Sequence, residues 1–211
     1  MDLLLFGTSG TLGSACKARC KQLGWTISEG NRQVDSNFYD TSFDAVVWAQ
    51  GSNLTKSFEE TSDDDWIDIL NSNLLFVVQT LRNLLRLNQV ANGARLVVIG
   101  SVWERVHRSN KSAYVTSKAA LAGLVRALAS DLGDRGISIN CVSPGVVMSS
   151  MTMQHLSSEQ IAQIERETPS SQLVTPLDVA NVVSFLISKN SSGINGQSIF
   201  VDNGWSGCRS V

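Results

Sequence analysis

Short apolar runs alternate along the chain with longer segments of helical periodicity. Leu3 to Phe6 is a continuous apolar run, short enough for a central strand buried on both faces. The glycine-rich stretch Gly7 to Gly13 follows, then a helical segment to about Leu23, ended by Gly24, and a second strand at Trp25 to Ser28. Phe43 to Ala49 is the next apolar run. Thr61 or Ser62 can cap a helix whose first turn holds Asp63, Asp64 and Asp65, favourably placed against the dipole, and that helix continues to about Leu87. Asn92-Gly93 turns the chain into a strand at Arg95 to Ile99. A helix from Tyr114 to Leu132 carries many small residues, which predicts close packing against another helix; Gly133 and Gly136 break it. Ile137 to Ser143 is a further strand, ending at Pro144-Gly145. Ser157 with Gln160 forms a capping box for a short helix to about Glu167. Thr175-Pro176-Leu177-Asp178 opens another, to about Ser188, and Ser198 to Gly204 is the last strand.

The opening order of strand, glycine turn, helix and strand is the first unit of a doubly wound dinucleotide-binding fold. Glycines there permit positive φ and close approach of backbone to a pyrophosphate, which the amino end of the helix attracts. One interval breaks the alternation. The polar stretch Gly30 to Ser42 is too short for a helix with its connections, which a parallel crossover usually carries. It holds at most a stub strand around Val34 and Asp35, with no covering helix. The expectation is an α/β single-domain Rossmann-like fold over residues 1–211: a doubly wound parallel sheet of six to seven strands, trimmed after the second.

Composition narrows the function. With 43% hydrophobic and 17% charged residues the chain is globular rather than disordered. A net charge of −2 without a basic run argues against nucleic acid and anionic membrane as partners. No apolar run approaches membrane-spanning length, and MDLLLFG lacks a basic leader, so a cytoplasmic protein is expected. Cys16, Cys20, Cys141 and Cys208 contain no metal-like pair, so no metal is expected; Cys16 and Cys20, one turn apart, read as reduced, partly buried thiols.

Candidate chemistry lies between Ser101 and Lys118. Tyr114 and Lys118 stand one helical turn apart on the same face, and Ser101 sits at the carboxyl end of a strand, the edge where open α/β sheets bind ligands. Reducing a ketone requires a proton for the oxygen. Tyrosine, with a reference pKa near ~10, serves at neutral pH only if its phenolate is stabilised, which a nearby Lys⁺ does. A Tyr and a Lys four apart are as readily two exposed helix residues, so the pair alone is weak.

The ordered set is stronger. Asn73, Ser101, Tyr114 and Lys118, followed by INCVSPG, TPLDVANVVSFL and INGQSIFVDNGW, resembles the short-chain dehydrogenase/reductase family over nearly the whole chain, and its 3-oxoacyl-(acyl carrier protein) reductase-like members from Asn73 to Gly145. Asn71 is a neighbouring candidate for the asparagine. The resemblance implies an NAD(P)(H)-dependent oxidoreductase interconverting a carbonyl and a secondary alcohol by hydride transfer. Tyr114 would be the acid/base, Lys118 would favour its phenolate, Ser101 would orient the substrate oxygen and Asn73 would anchor a proton relay. It also implies cofactor contacts from Gly7, Ser9, Gly10, Thr11, Leu12 and Gly13, from Ala49, Gln50 and Gly51, from Tyr114 and Lys118, and from Pro144, Gly145, Val147 and Ser149. Asp35 matches an adenine-contacting aspartate. Glu29 comes too early in the second strand to take the ribose, and Asn31-Arg32 resembles an NADP-type end, so NADP(H) is favoured over NAD(H).

Three departures concern the adenosine half: Thr11 in place of the family's middle glycine, with Gly10 beside it allowing a slightly different turn; Gln50 in place of an alanine; and the missing helix after Arg32. They motivate a rival reading, a cofactor-binding protein with little turnover. Glu104, Arg105, His107, Arg108 and Lys111 read singly as solvated loop residues but together suggest a polar or anionic small-molecule substrate. Met148, Met151 and Met153 read as an apolar lid, and His155 as an ordinary loop residue. The helices Asp65 to Leu87 and Tyr114 to Leu132 are those the family uses to self-associate, which implies a dimer or tetramer.

Overall fold

The structure, a computed structural model, describes residues 1–31, 41–149, 152 and 156–207. Six strands, β1 Asp2–Phe6, β2 Thr26–Gly30, β3 Phe43–Trp48, β4 Val90–Ile99, β5 Ser138–Pro144 and β6 Ser198–Val201, form one parallel sheet in the order β2-β1-β3-β4-β5-β6. A parallel sheet covered on both faces needs strands that are apolar throughout. Leu3, Leu4, Leu5 and Phe6 are accordingly buried, as is every residue of β5, while the edge strand β2 alternates between exposed and half-buried.

The helices are α1 Thr11–Gln22, α2 Asp63–Leu70, α3 Phe76–Arg86, α4 Ser112–Asp131, α5 Ser158–Glu167 and α6 Pro176–Leu186. Successive strand side chains point to opposite faces, which divides the core in two. On one face Leu4, Phe6, Trp48 and Val98 pack with Val77, Leu81 and Leu84 of α3 and Leu121 and Val125 of α4. On the other, Leu3, Leu5, Val47 and Val97 pack with Cys16 and Cys20 of α1 and Val179, Ala180 and Val183 of α6. Each such side chain contributes roughly 1.5–3 kcal/mol on burial. Ser62, Ser157 and Thr175 all close capping boxes, so of the two candidates for the start of α2 the structure selects Ser62.

Several boundaries differ from the sequence expectation. The helix expected to run unbroken to Leu87 contains a π turn at Asn71–Leu75, where one extra residue is accommodated between α2 and α3. Asn92-Gly93 is not a turn before a strand. It lies inside β4, where pairing with β3 shifts between Phe43↔Val90 and Ala45↔Arg95, so the extra residues bulge outward. β2 extends to Gly30 because Glu29 and Gly30 still pair with Leu5 and Phe6. β6 stops at Val201 because the Asp202 carboxylate takes the Gly204 N–H at 3.0 Å and the Ser206 N–H at 2.9 Å, closing a turn. Cys16, Cys20 and Cys141 are free and fully rather than partly buried, and burial pushes their thiols up to about 12, 11 and 12. Val34, Asp35 and Cys208 lie outside the described residues. Among the described residues no helix is long and apolar enough to cross a membrane.

Candidate active site

The chain steps from β1 outward to β2 and then returns to place β3 on the other side of β1, which makes the carboxyl ends of β1 and β3 a topological switch point. A cavity of about 880 Å³ opens there, running from Gly30 and Asn31 past the glycine turn to Ser101, Tyr114 and Trp205.

The turn depends on Gly7. Its φ of +81° favours glycine, and a Cβ there would lie 2.6 Å from the Gln50 backbone nitrogen. Gly10, by contrast, caps α1 at φ −81°, a conformation any residue adopts; the special turn expected at Gly10 is therefore made at Gly7, and the Gly10 N–H donates to the Gly7 carbonyl at 3.1 Å. Gly13 does not line the cavity as expected. A Cβ on it would stand 2.0 Å from the Gly7 oxygen, so its bare backbone lets α1 close onto the turn. Ser9, Thr11 and Leu12 do line the cavity. α1 has no side-chain cap and no acid in its first turn, which leaves its amino end free for an anion.

At the other end of the cavity buried polar residues converge. Lys118 is 4% exposed; its Nζ donates to the Ile99 carbonyl at 3.0 Å and stands 5.8 Å from the centre of the Tyr114 ring. Asn73, 1% exposed, faces inward from the π turn, whereas Asn71 is exposed. Asn73 Oδ1 accepts the Ser52 N–H at 2.7 Å, and its Nδ2 donates to the Ser52 carbonyl at 3.0 Å and to Ser117 Oγ at 2.9 Å. Gly51 sits against both: a Cβ there would lie 3.1 Å from Asn73 Oδ1 and 3.5 Å from Lys118 Nζ. Ser101 is buried at the end of β4. Its Oγ accepts the Trp103 N–H at 3.4 Å, which leaves the hydroxyl proton available to donate. Tyr114 is half-buried and lines the cavity.

Ala49, Gln50, Gly51, Pro144, Gly145, Val147 and Ser149 line the cavity as expected, with Ser149 Oγ 3.0 Å from Thr152 Oγ1. Asn31 lines it as well. Glu29 does not; Lys17 and Thr8 take up its carboxylate and hold it below the usual carboxylate range. Arg32 and Asp35 lie outside the described residues, as do Met151, Met153 and His155. Met148 is exposed and does not line the cavity, so it contributes no lid.

The solvated reading of the loop from Trp103 to Lys111 fails at two positions. Lys111 is 7% exposed, and the Glu104 carboxylate turns inward to accept Ser143 Oγ at 2.7 Å. Trp103, His107 and Arg108 line the cavity, while Arg105 lies over the Phe200 ring at 5.7 Å. Sequence reasoning missed Ser117, which joins Asn73 to the Tyr114 carbonyl (2.7 Å); its place three residues after Tyr114 was the available signal. Asn53 and Thr55 were missed too, because the irregular stretch they occupy carries no periodicity.

These residues fit a nicotinamide dinucleotide. Gly7 leaves backbone open to close approach, α1 offers an uncapped amino end, and Gln50 Oε1 is a buried acceptor without a donor among the described residues. A doubly wound sheet with a glycine turn at its switch point, and Ser101, Tyr114 and Lys118 in the same cavity, has the architecture of dinucleotide-binding folds. Residues 29–206 match the family model described as Enoyl-(Acyl carrier protein) reductase. The chain is 33% identical over 142 residues to the 3-oxoacyl-(acyl carrier protein) reductase FabG of Salmonella typhimurium, covering 67% of this chain and 58% of that protein. It is 30% identical over 172 residues to the Haemophilus influenzae reductase of the same name, covering 82% and 70%. A short chain dehydrogenase family protein from Francisella tularensis superposes with a TM-score of 0.88 at 23% identity, covering 98% of this chain and 99% of that one. The chain belongs to the short-chain dehydrogenase/reductase family, and it spans 58% of the length of the Salmonella relative.

Proposed function

We propose that this protein is an NAD(P)(H)-dependent oxidoreductase that interconverts a carbonyl and a secondary alcohol, with Tyr114 as acid/base. The observation that carries this reading is that buried Ser101 and Lys118 share with Tyr114 the cavity that also holds the glycine turn, with buried Asn73 behind its wall against Gly51. A bound dinucleotide supplies or accepts the hydride. Ser101 Oγ donates to the substrate oxygen and orients it. The Tyr114 hydroxyl gives its proton to that oxygen in reduction and takes it back in oxidation. The Lys118 ammonium favours the resulting phenolate by its charge, and the Ile99 carbonyl fixes its position. Asn73, tied to Ser52 and Ser117, holds the floor of the site beside Lys118 and anchors the route by which Lys118 is reprotonated.

NADP(H) is the favoured cofactor, supported by Asn31 on the cavity wall, Arg32 next to it in sequence, and Glu29 being occupied by Lys17 and Thr8. A homo-oligomer built through α2, α3 and α4 is supported by exposed apolar side chains at Phe58, Ile67 and Leu75. NADPH oxidation with a panel of ketones tests the function: wild type turns over at least one, and Ser101→Ala and Tyr114→Phe both lose that turnover. Retention by Tyr114→Phe, or dinucleotide binding with no turnover of any ketone, favours the binding-only alternative.

A further inference from the structure

We infer that Lys111 receives a carboxylate of the substrate, so that the site acts on short oxo acids and the corresponding hydroxy acids; this rests on Tyr114 being the acid/base. Lys111 immediately precedes α4, three residues before Tyr114, and is 7% exposed. A lysine is rarely buried this far without a charged partner. Its Nζ donates to Asn53 Oδ1 at 2.6 Å and Thr55 Oγ1 at 2.5 Å, both neutral, and stands 5.7 Å from the centre of the Tyr114 ring. A backbone bond from the Lys56 N–H to the Asn110 carbonyl, 3.0 Å, ties the segment bearing Asn53 and Thr55 to the residue before Lys111, so the arrangement is held in place. Among the described residues no carboxylate pairs with Lys111; the ion pairs there are Lys17–Glu29 and Lys56–Asp65.

The charge on the cavity wall has the same sign. Among the described residues Arg108, Lys111 and Lys118 line it, against one carboxylate, Glu167. That carboxylate already accepts from Gln163 Nε2 at 2.9 Å and Trp205 Nε1 at 3.2 Å. Burial and the Arg108 charge push Lys111 down to about 8, so an arriving anion offsets both effects and favours the ammonium form. Two of the three ammonium protons are used, and one is left for the ligand. Nζ lies over the Tyr114 ring on the cavity that Ser101 also lines, so a carboxylate bonded to it shares that cavity with a carbonyl held by Tyr114 and Ser101. That geometry selects short oxo acids over neutral ketones.

The test is binding, read by ligand-observed NMR with NADP⁺ present, of pyruvate, acetoacetate and levulinate against their methyl esters. At least one acid binds wild type roughly 10- to 100-fold more tightly than its ester, the range expected for a charge-assisted pair. Lys111→Met and Lys111→Gln both abolish that preference, the Gln variant keeping a group that can bond Asn53 and Thr55, while Lys111→Arg keeps part of it. Acids that bind no better than esters, a preference that survives in Lys111→Met, or no binding of any acid at millimolar concentration would each overturn the inference. Tyr114→Phe separates it from the proposed reaction: that variant keeps the acid preference and loses turnover, so turnover retained there refutes the role of Tyr114 and leaves the carboxylate receiver standing.

Discussion

The two ends of the cavity are built on different parts of the sheet. Around Tyr114 the polar partners come from the middle of the molecule: Ser101 from the end of β4, Lys118 from α4 bonded to Ile99, and Asn73 from a π turn bonded to Ser52 and Ser117, all of them buried. At the far end the wall is Gly30 and exposed Asn31, on or just beyond the edge strand β2, and residues 32–40 lie outside the described residues. The contrast separates two kinds of requirement. Proton transfer needs groups held to a fraction of an ångström, which packed elements supply. Binding the distant half of a dinucleotide spreads over many weaker contacts.

The first way to break this comparison is Tyr114→Phe, which lowers kcat roughly 100- to 10,000-fold by removing the proton carrier, measured as NADPH oxidation at saturating substrate. Asn73→Ala follows. It leaves the Ser52 N–H and carbonyl and Ser117 without their buried partner, lowers stability by roughly 2–4 kcal/mol in denaturant titration, and shows that the catalytic end is also a structural knot. Gly13→Ala forces a Cβ against the Gly7 oxygen, destabilises by about 1–3 kcal/mol and weakens dinucleotide binding without touching a cavity wall; calorimetry reads both.

Lys111→Met has the opposite sign. Asn53 and Thr55 are exposed and turn to water, so removing a buried cation stabilises the protein by about 1–2 kcal/mol at neutral pH. The pH dependence follows from a folded-state value near 8 against an ordinary 10.5. Below pH 8 the lysine is charged in both states and the variant's advantage is constant. From pH 8 to 10.5 the unfolded chain keeps a proton that the folded chain has released, so wild type gains stability and the advantage shrinks. An advantage that grows over that window contradicts the burial of an unpaired cation. The smallest effect is at the edge: Asn31→Asp sets a negative charge where the 2′-phosphate is expected and weakens NADPH binding about tenfold relative to NADH.

Most of the fold was legible because its signals are local. Apolar and alternating runs placed all six strands, and cap residues marked three helix starts, at Ser157, at Thr175 and at Ser62, one of two candidates there. The boundaries that moved were set by tertiary contacts: the β4 bulge by pairing with β3, the end of β6 by the Asp202 side chain. The π turn at Asn71–Leu75 leaves no trace in a periodicity of apolar residues, yet it is what turns Asn73 inward. Within the site, Ser101, Tyr114 and Lys118 were singled out by the ordered set of segments the family resemblance rests on, their spacing alone being weak, and Gly7 by its place after β1. Lys111 was read as solvated because nothing in the sequence shows that Asn53 and Thr55, more than fifty residues earlier, cover it.

The separation of the two ends is tested most directly by measuring kcat and the NADPH dissociation constant on Tyr114→Phe and Asn31→Asp side by side. In Tyr114→Phe kcat falls by roughly 100-fold or more while NADPH affinity stays within a few-fold; in Asn31→Asp NADPH affinity falls about tenfold and kcat at saturation is nearly wild type. Both constants falling together in either variant would contradict a chemistry held in the buried middle of the sheet and a cofactor preference held at its edge.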